Sequence, residues 1–230
     1  MTDTLRANRN LLRLVQGVLA GRKDLDGRGK TLFSADEDAV VLREEIIRRK
    51  DEIDTITGHI PFGVHRLLER PCHYFTLLRE PMARAQSQFA HALRRPDDSV
   101  LGGIVKSCDG DIVKSIEEQT ALQFMNDQTR MIIGSDKIQL TESDLELAKS
   151  LLIERYAVFG TLEALDESLR RIVSRLGWQH IDFQHLNAAP EADVRQQFSS
   201  RENAILTEAN QLDLKLYAWV QQRLSGVPRC

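Results

Sequence analysis

Apolar residues recur along this chain with two periods, and the points where one period gives way to the other predict its elements. Leu11, Val15, Val18 and Leu19 fall on one helical stripe, which predicts a helix over residues 5–20 with Gly21 as its stop. A polar loop, GRKDLDGRGKT, and a highly charged surface helix over residues 36–50 follow. The run DTITGH predicts a strand, and HYFTLLR predicts a stronger one, apolar and aromatic with Thr76 inside it. Pro81, its φ already set for a helix, suits the first position of a helix reaching about Leu93.

Downstream, RRPDDSVLGG reads as loop, and Ser115 with Glu118 forms a capping-box signature for a helix through Phe124 and Met125. Thr141 with Asp144 repeats that signature ahead of Leu145, Ala148, Leu151 and Leu152. YAVFG predicts a short strand. Leu162, Leu165, Leu169, Ile172, Val173 and Leu176 then form a clear amphipathic stripe ended by Gly177. Residues 180–200 are irregular and polar. Ile205, Ala209, Leu212, Leu216, Trp219 and Val220 predict one long closing helix over about 202–224. Few strands alternating with many helices predict a helix-rich α/β fold around a small central parallel sheet, with residues 1–230 as a single domain.

Composition narrows the chemistry. Hydrophobic residues at 42% and charged residues at 28% describe an ordinary globular chain rather than a disordered one. A net charge of -3 excludes a global basic field, so no nucleic-acid partner is expected and any anion site must be built locally. Cys72, Cys108 and Cys230 are odd in number and widely spaced; they fit unpaired thiols better than a zinc site or a disulfide framework, and no metal is expected. No apolar run has the length of a membrane span, and the N-terminal stretch carries no signal-peptide pattern. The expectation is therefore a soluble, cytoplasmic protein.

The densest chemistry lies in HYFTLLREPMARAQS. The strand delivers Arg79 to its C-terminal end, where α/β sheets bind ligands, and the helix that starts at once favours an anion at its N-terminus. A guanidinium grips a phosphate through two parallel hydrogen bonds. Arg84 and Ser87 follow on the helix. Spacing alone leaves two readings open: an anion site, or Arg79 paired with an acid such as Glu80 and Ser87 merely packing.

GHIPFGVHRLL followed by YFTLLREPMARAQSQF resembles the sulfotransferase superfamily, in particular the carbohydrate sulfotransferases of the heparan-sulfate type and their bacterial relatives. NDQTRMIIG, YAVFGTLEALDESLRRIVSRLGW and NQLDLKLYAWV resemble later segments of that family in the same order, and the likeness spans most of residues 55–224. The resemblance implies a P-loop-NTPase-like sulfotransferase fold and 3′-phosphoadenosine 5′-phosphosulfate (PAPS) as sulfate donor. It implies Arg79 and Ser87 as ligands of the donor's 3′-phosphate, with Glu80 in place of the usual aspartate, and Arg84 as a further cofactor contact; Arg130 reads as a contact to the cofactor or the acceptor, or equally as the partner of a nearby acid. Asn126 and Gln128 are weaker candidates of the same kind. It also implies His59 as the base that takes the proton from an acceptor hydroxyl, on a carbohydrate or similar molecule. Without the family, His59 reads equally as a strand-end cap or a ring packed on Phe62. His65, in FGVHRLL, reads as a packing or positioning residue.

The family's first strand and its donor loop, with a lysine that stabilises the leaving oxygen, have no counterpart here. GRGKT at 27–31 is not a Walker loop, because Asp24 stands where the spacing needs glycine. Thr4, Leu5 and Arg6 instead match the tail of the donor loop, so the expectation is a chain that begins inside that loop, N-terminally truncated with its first strand absent. That leaves a second expectation beside the enzyme: a non-catalytic nucleotide-binding or interaction protein of the same fold.

Overall fold

Short strands paired through their main chains build the first of two compact units. The computed structural model describes residues 16–20, 31–34, 39–51, 53, 55–58, 60–69, 71–94, 96–97, 100–118, 121–176 and 198–226. Unit one draws on Met1–Leu78, Met131–Gly134 and Ser150–Ala188, and unit two on Arg79–Arg130, Ser135–Lys149 and Ala189–Cys230.

Among the described residues of unit one, β1 (Gln16–Ala20), β2 (Thr31–Ser34), β3 (Thr55–Gly58), β4 (Cys72–Leu78) and β5 (Tyr156–Thr161) form a sheet in the order β2-β3-β1-β4-β5. The β2/β3 and β4/β5 pairs are parallel, as expected, but β1 runs antiparallel to both of its neighbours, with Val18 opposite Ile56 on one side and Tyr74 on the other. The sheet is therefore mixed rather than parallel. This also corrects the helix expected over 5–20, whose described part, Gln16–Ala20, is a strand. A short apolar run does not distinguish strand from helix by periodicity, and here ladder partners on both sides decide it.

β4 is buried from Tyr74 through Leu78, each residue at 3% exposure or less, which is what a strand with neighbours on both edges and cover on both faces requires. Helix α1 (Ala39–Arg49) and the short α2 (His65–Leu68) precede β4. Helix α8 (Leu165–Leu176) packs closely on β5: a Cβ at Gly160 would fall 2.3 Å from Ser168 Oγ. The Ser168 hydroxyl uses that proximity to donate to the Thr161 carbonyl and accept from the Thr161 amide, both at 3.1 Å.

Unit two is helical. Helix α3 (Pro81–Arg94) starts where expected, at proline, and buries Pro81, Ala85, Phe89 and Ala92 on one stripe. Phe89 meets Phe124 edge-on at 6.0 Å and Phe198 at 5.7 Å, at the centre of a core that Val105, Ile112, Ile116 and Leu206 complete. Two loop and cap expectations are corrected here. Val100–Ser107 is a helix, α4, and the next helix, α5 (Ile112–Glu117), begins at Ile112 rather than after Ser115, because the Asp111 carboxylate accepts from the Val113 and Lys114 amides. Ser115 lies inside α5, its hydroxyl turned back to the Asp111 carbonyl at 2.9 Å.

Helices α6 (Asp127–Ile133) and α7 (Glu142–Glu154) follow, and the long closing helix divides into α9 (Ser200–Ala209) and α10 (Gln211–Ser225) at Asn210. Predictions for residues 5–15, 21–30 and 180–197 lie outside the described residues, as does Cys230. Among the described residues, neither Cys72 nor Cys108 is in a disulfide. Among the described residues no helix is long and apolar enough to cross a membrane, and no group of three or more potential ligand side chains could hold a metal.

Candidate functional site

Glu80 sets the start of α3. Its carbonyl accepts the first intrahelical bond, from Arg84 N at 2.9 Å. Its carboxylate accepts from the Met82 and Ala83 amides at 3.1 and 2.6 Å. The N-terminal N–H groups that make a bare helix end attractive to an anion thus already hold one, supplied by the residue next to Arg79. Any phosphate at this end must bind beyond Glu80, through side chains.

Arg79, half-buried, is held by its main chain. The Gln128 side-chain amide accepts from Arg79 N at 2.8 Å and donates to the Arg79 carbonyl at 2.9 Å. A primary amide carries an acceptor and a donor side by side, so it pairs with one residue as a neighbouring strand would. Only one orientation of the amide satisfies both contacts. Gln128 is in turn fixed by Asp213, a carboxylate with 1% exposure on α10. Asp213 Oδ2 accepts from Gln128 N at 2.9 Å, while Oδ1 accepts from Thr129 N at 2.7 Å and from the Thr129 hydroxyl at 2.6 Å. Burial pushes the Asp213 carboxyl above its usual range, against the pull of the Thr129 and Gln128 donors and the Arg84 charge.

The cap is returned. Asn126, at φ +51°, places its side-chain oxygen 2.9 Å from Leu212 N and 3.1 Å from Asp213 N, at the start of α10. Asn210 accepts from Asn126 N and donates to the carbonyls of Phe124 and Leu206. Each helix start therefore satisfies its orphan amides with a side chain from the other segment.

Arg84 and Arg130 are both 7% exposed and both engaged within the fold. Arg84 forms an ion pair with Asp127, at the head of α6, and also donates to the side chain of Gln88 and the carbonyl of Gln123. Arg130 donates to the carbonyls of Lys137, Met125 and Ile138, pinning the turn after α6; among the described residues its Nε is buried without a partner. Burial lowers its pKa, with Asp127, Asp213, Asp136 and Asp144 pulling the other way. These bonds give both arginines a structural role that spacing did not separate from ligand binding. Ser87 is exposed on α3, three residues past Arg84. Unit two thus brings Arg79 and Ser87 to the start and exposed face of one helix.

His59 lies outside the described residues. His65, its competitor in the sequence, is held among rings: it lies 5.3 Å from Phe62 and 5.5 Å, edge-on, from Tyr74. The Tyr74 oxygen accepts from the Gly63 and His65 amides, each at 3.1 Å, so its own proton goes to His65 Nδ1 at 2.7 Å. That bond makes Nδ1 the acceptor and puts the ring proton on Nε2, a packing arrangement rather than that of a base. Burial first, then Arg155 and Arg66, holds the His65 pKa below the ordinary 6.5. The unfolded chain therefore takes up a proton near pH 6.5 that the folded chain resists. This contribution to stability is present above pH 6.5 and is lost as pH falls from there to the lowered folded value. In an NMR titration His65 is expected to titrate below 6.5 and to move up in an Arg155→Gln variant; an unmoved midpoint contradicts the assignment.

Sequence reasoning named Gln128 but not its use, and it noted Asp213 only as part of a pattern. The signal for both was the run of polar residues in NDQTR and NQLD on segments otherwise destined for a core. No family model, curated protein or solved structure matches this chain.

Proposed function

We propose that the chain binds the 3′-phosphate of PAPS through Arg79 and Ser87 and acts as a sulfotransferase on a hydroxyl acceptor, a carbohydrate above all. The observation that carries the reading is the two-bond hold of Gln128 on the main chain of Arg79, the residue to which the sequence resemblance assigns the phosphate. A guanidinium on a fixed main chain loses less freedom when it binds, so the grip on the anion is stronger. Ser87, exposed on the same helix, offers a hydroxyl to a solvent-borne ligand.

Under this reading His59 takes the proton from the acceptor hydroxyl as its oxygen attacks sulfur. The bond from sulfur to the 5′-phosphate oxygen breaks, and 3′-phosphoadenosine 5′-phosphate (PAP) leaves. Replacing Arg79 with alanine keeps the main-chain partners of Gln128, and thermal unfolding of the variant checks that the fold is retained. Affinity for PAP, measured by calorimetry, should fall at least about tenfold, the scale of hydrogen bonds to a charged group. Wild-type affinity in Arg79→Ala would remove the assignment.

A second reading, nucleotide binding or partner binding without transfer, is favoured by Glu80, whose carboxylate fills the α3 terminus, and by the internal bonds of Arg84 and Arg130. It predicts PAP binding with no sulfate transferred to any acceptor supplied with PAPS.

A further inference from the structure

We infer that Gln128, braced by Asp213, is the positioning residue of the 3′-phosphate site: it sets the main chain of Arg79 and through it the direction of the guanidinium. The inference rests on the PAPS reading above.

Three observations carry it. Gln128 is 3% exposed, so water does not compete for its amide. Both functional groups of that amide go to a single residue, Arg79 N and Arg79 O, across 49 positions of sequence. A side chain that served only to fill the core would need neither bond. The third is the brace: Asp213 holds the amides of Gln128 and Thr129 at 2.9 and 2.7 Å and leaves the first turn of α6 little freedom to shift. Asp213, Gln128 and Arg79 thus form one series of short hydrogen bonds within unit two, running from the start of α10 to the residue before Glu80.

The demand on residue 128 is specific. It must accept from one main-chain group and donate to the next. Methionine has the volume and neither function. Glutamate keeps the acceptor, but as a carboxylate it sets a negative oxygen against the Arg79 carbonyl. When protonated it regains an O–H to donate. A Gln128→Glu variant should therefore lose PAP affinity at neutral pH and recover it, relative to wild type at the same pH, on acidification. A packing defect indifferent to that proton would not give this return, and a return of affinity with no change in thermal unfolding sets positioning apart from a loss of fold.

The test is calorimetric titration of PAP into the full chain as wild type, Arg79→Ala, Gln128→Met and Gln128→Glu, with thermal unfolding of each. Both Gln128 variants are expected to bind PAP at least about tenfold more weakly than wild type at pH 7.5, the loss expected for hydrogen bonds that orient a charged ligand group. Wild-type affinity in the Gln128 variants, alongside loss in Arg79→Ala, overturns the inference and leaves the PAPS reading standing. Failure of the wild type to bind PAP overturns both. Should neither Gln128 variant fold, the wild type still decides the matter by NMR. The Gln128 side-chain amide signals should shift with the same midpoint as the calorimetric binding, and signals unmoved at saturation overturn the inference.

Discussion

Alanine at position 134 should destabilise the chain by about 4 kcal/mol or more, enough to stand apart from ordinary substitutions. Gly134 closes α6 in the left-handed region, at φ +63°. Its amide donates to the Met131 carbonyl and the next amide, of Ser135, donates back to Arg130, the paired bonds of a Schellman terminus. A side chain at this φ costs about 1–2 kcal/mol by itself. The larger cost is the neighbour: an added Cβ would lie 2.0 Å from the Phe62 carbonyl oxygen and 2.9 Å from its carbon. These are main-chain atoms and cannot rotate away. Phe62 is also tied to Met131 by its own amide at 2.9 Å and to Tyr74 and Tyr156 through its ring, so it cannot easily retreat. Gly63 is the control, with φ +111° but open space where a Cβ would go. Gly63→Ala should cost only backbone strain, about 1–3 kcal/mol. Urea unfolding of the two variants checks the order, and a Gly134→Ala chain as stable as Gly63→Ala contradicts the close approach.

Removing the Asp213 carboxylate should cost about 3 kcal/mol or more, because three buried donors lose their acceptor at about 1–3 kcal/mol each. Asp213→Ala leaves the Gln128 and Thr129 amides and the Thr129 hydroxyl without their acceptor, in a region where Thr129 has 0% exposure. Asp213→Asn should recover only part of this, because one of its two positions becomes a donor facing a donor. The caps are reciprocal, so Asn126→Ala and Asp213→Ala should not add: once either start is open, the other has less to lose. Equilibrium unfolding of the single and double variants measures this coupling. Additive losses would mean that the two helix starts are satisfied independently, against the arrangement described.

The parts legible in the sequence were those decided by neighbours along the chain. The uninterrupted apolar run of β4 and the proline at the head of α3 each carry their own instruction, and the stripe through Leu169 and Ile172 does the same for α8. Two of the failures were decided by partners far away and a third by a nearby cap. Gln16–Ala20 reads as the end of a helix until β3 and β4 are set on either side of it. The apolar stripe from Ile205 to Val220 runs on unbroken across Asn210, because the break is made by Asn126, more than eighty residues earlier, capping the second helix. Asp111 outcompetes Ser115 as a cap because a carboxylate reaching two amides ends the contest locally, a choice that a Ser-x-x-Glu pattern hides.

The candidate site divides the same way. That Arg79 follows a strand and precedes a helix is visible in LLREP. That Glu80 faces the helix amides, and that Gln128 holds the main chain of Arg79, is not, because an acid beside an arginine suggests an ion pair and a polar run suggests a surface.

Recognition of a 3′-phosphate is tested most directly by calorimetric titration of the wild-type chain with PAP and, separately, with adenosine 5′-monophosphate, which lacks that group. Saturable binding of PAP is expected, at least about tenfold tighter than that of the nucleotide without the 3′-phosphate. Equal affinity for the two, or no binding of either, would contradict it.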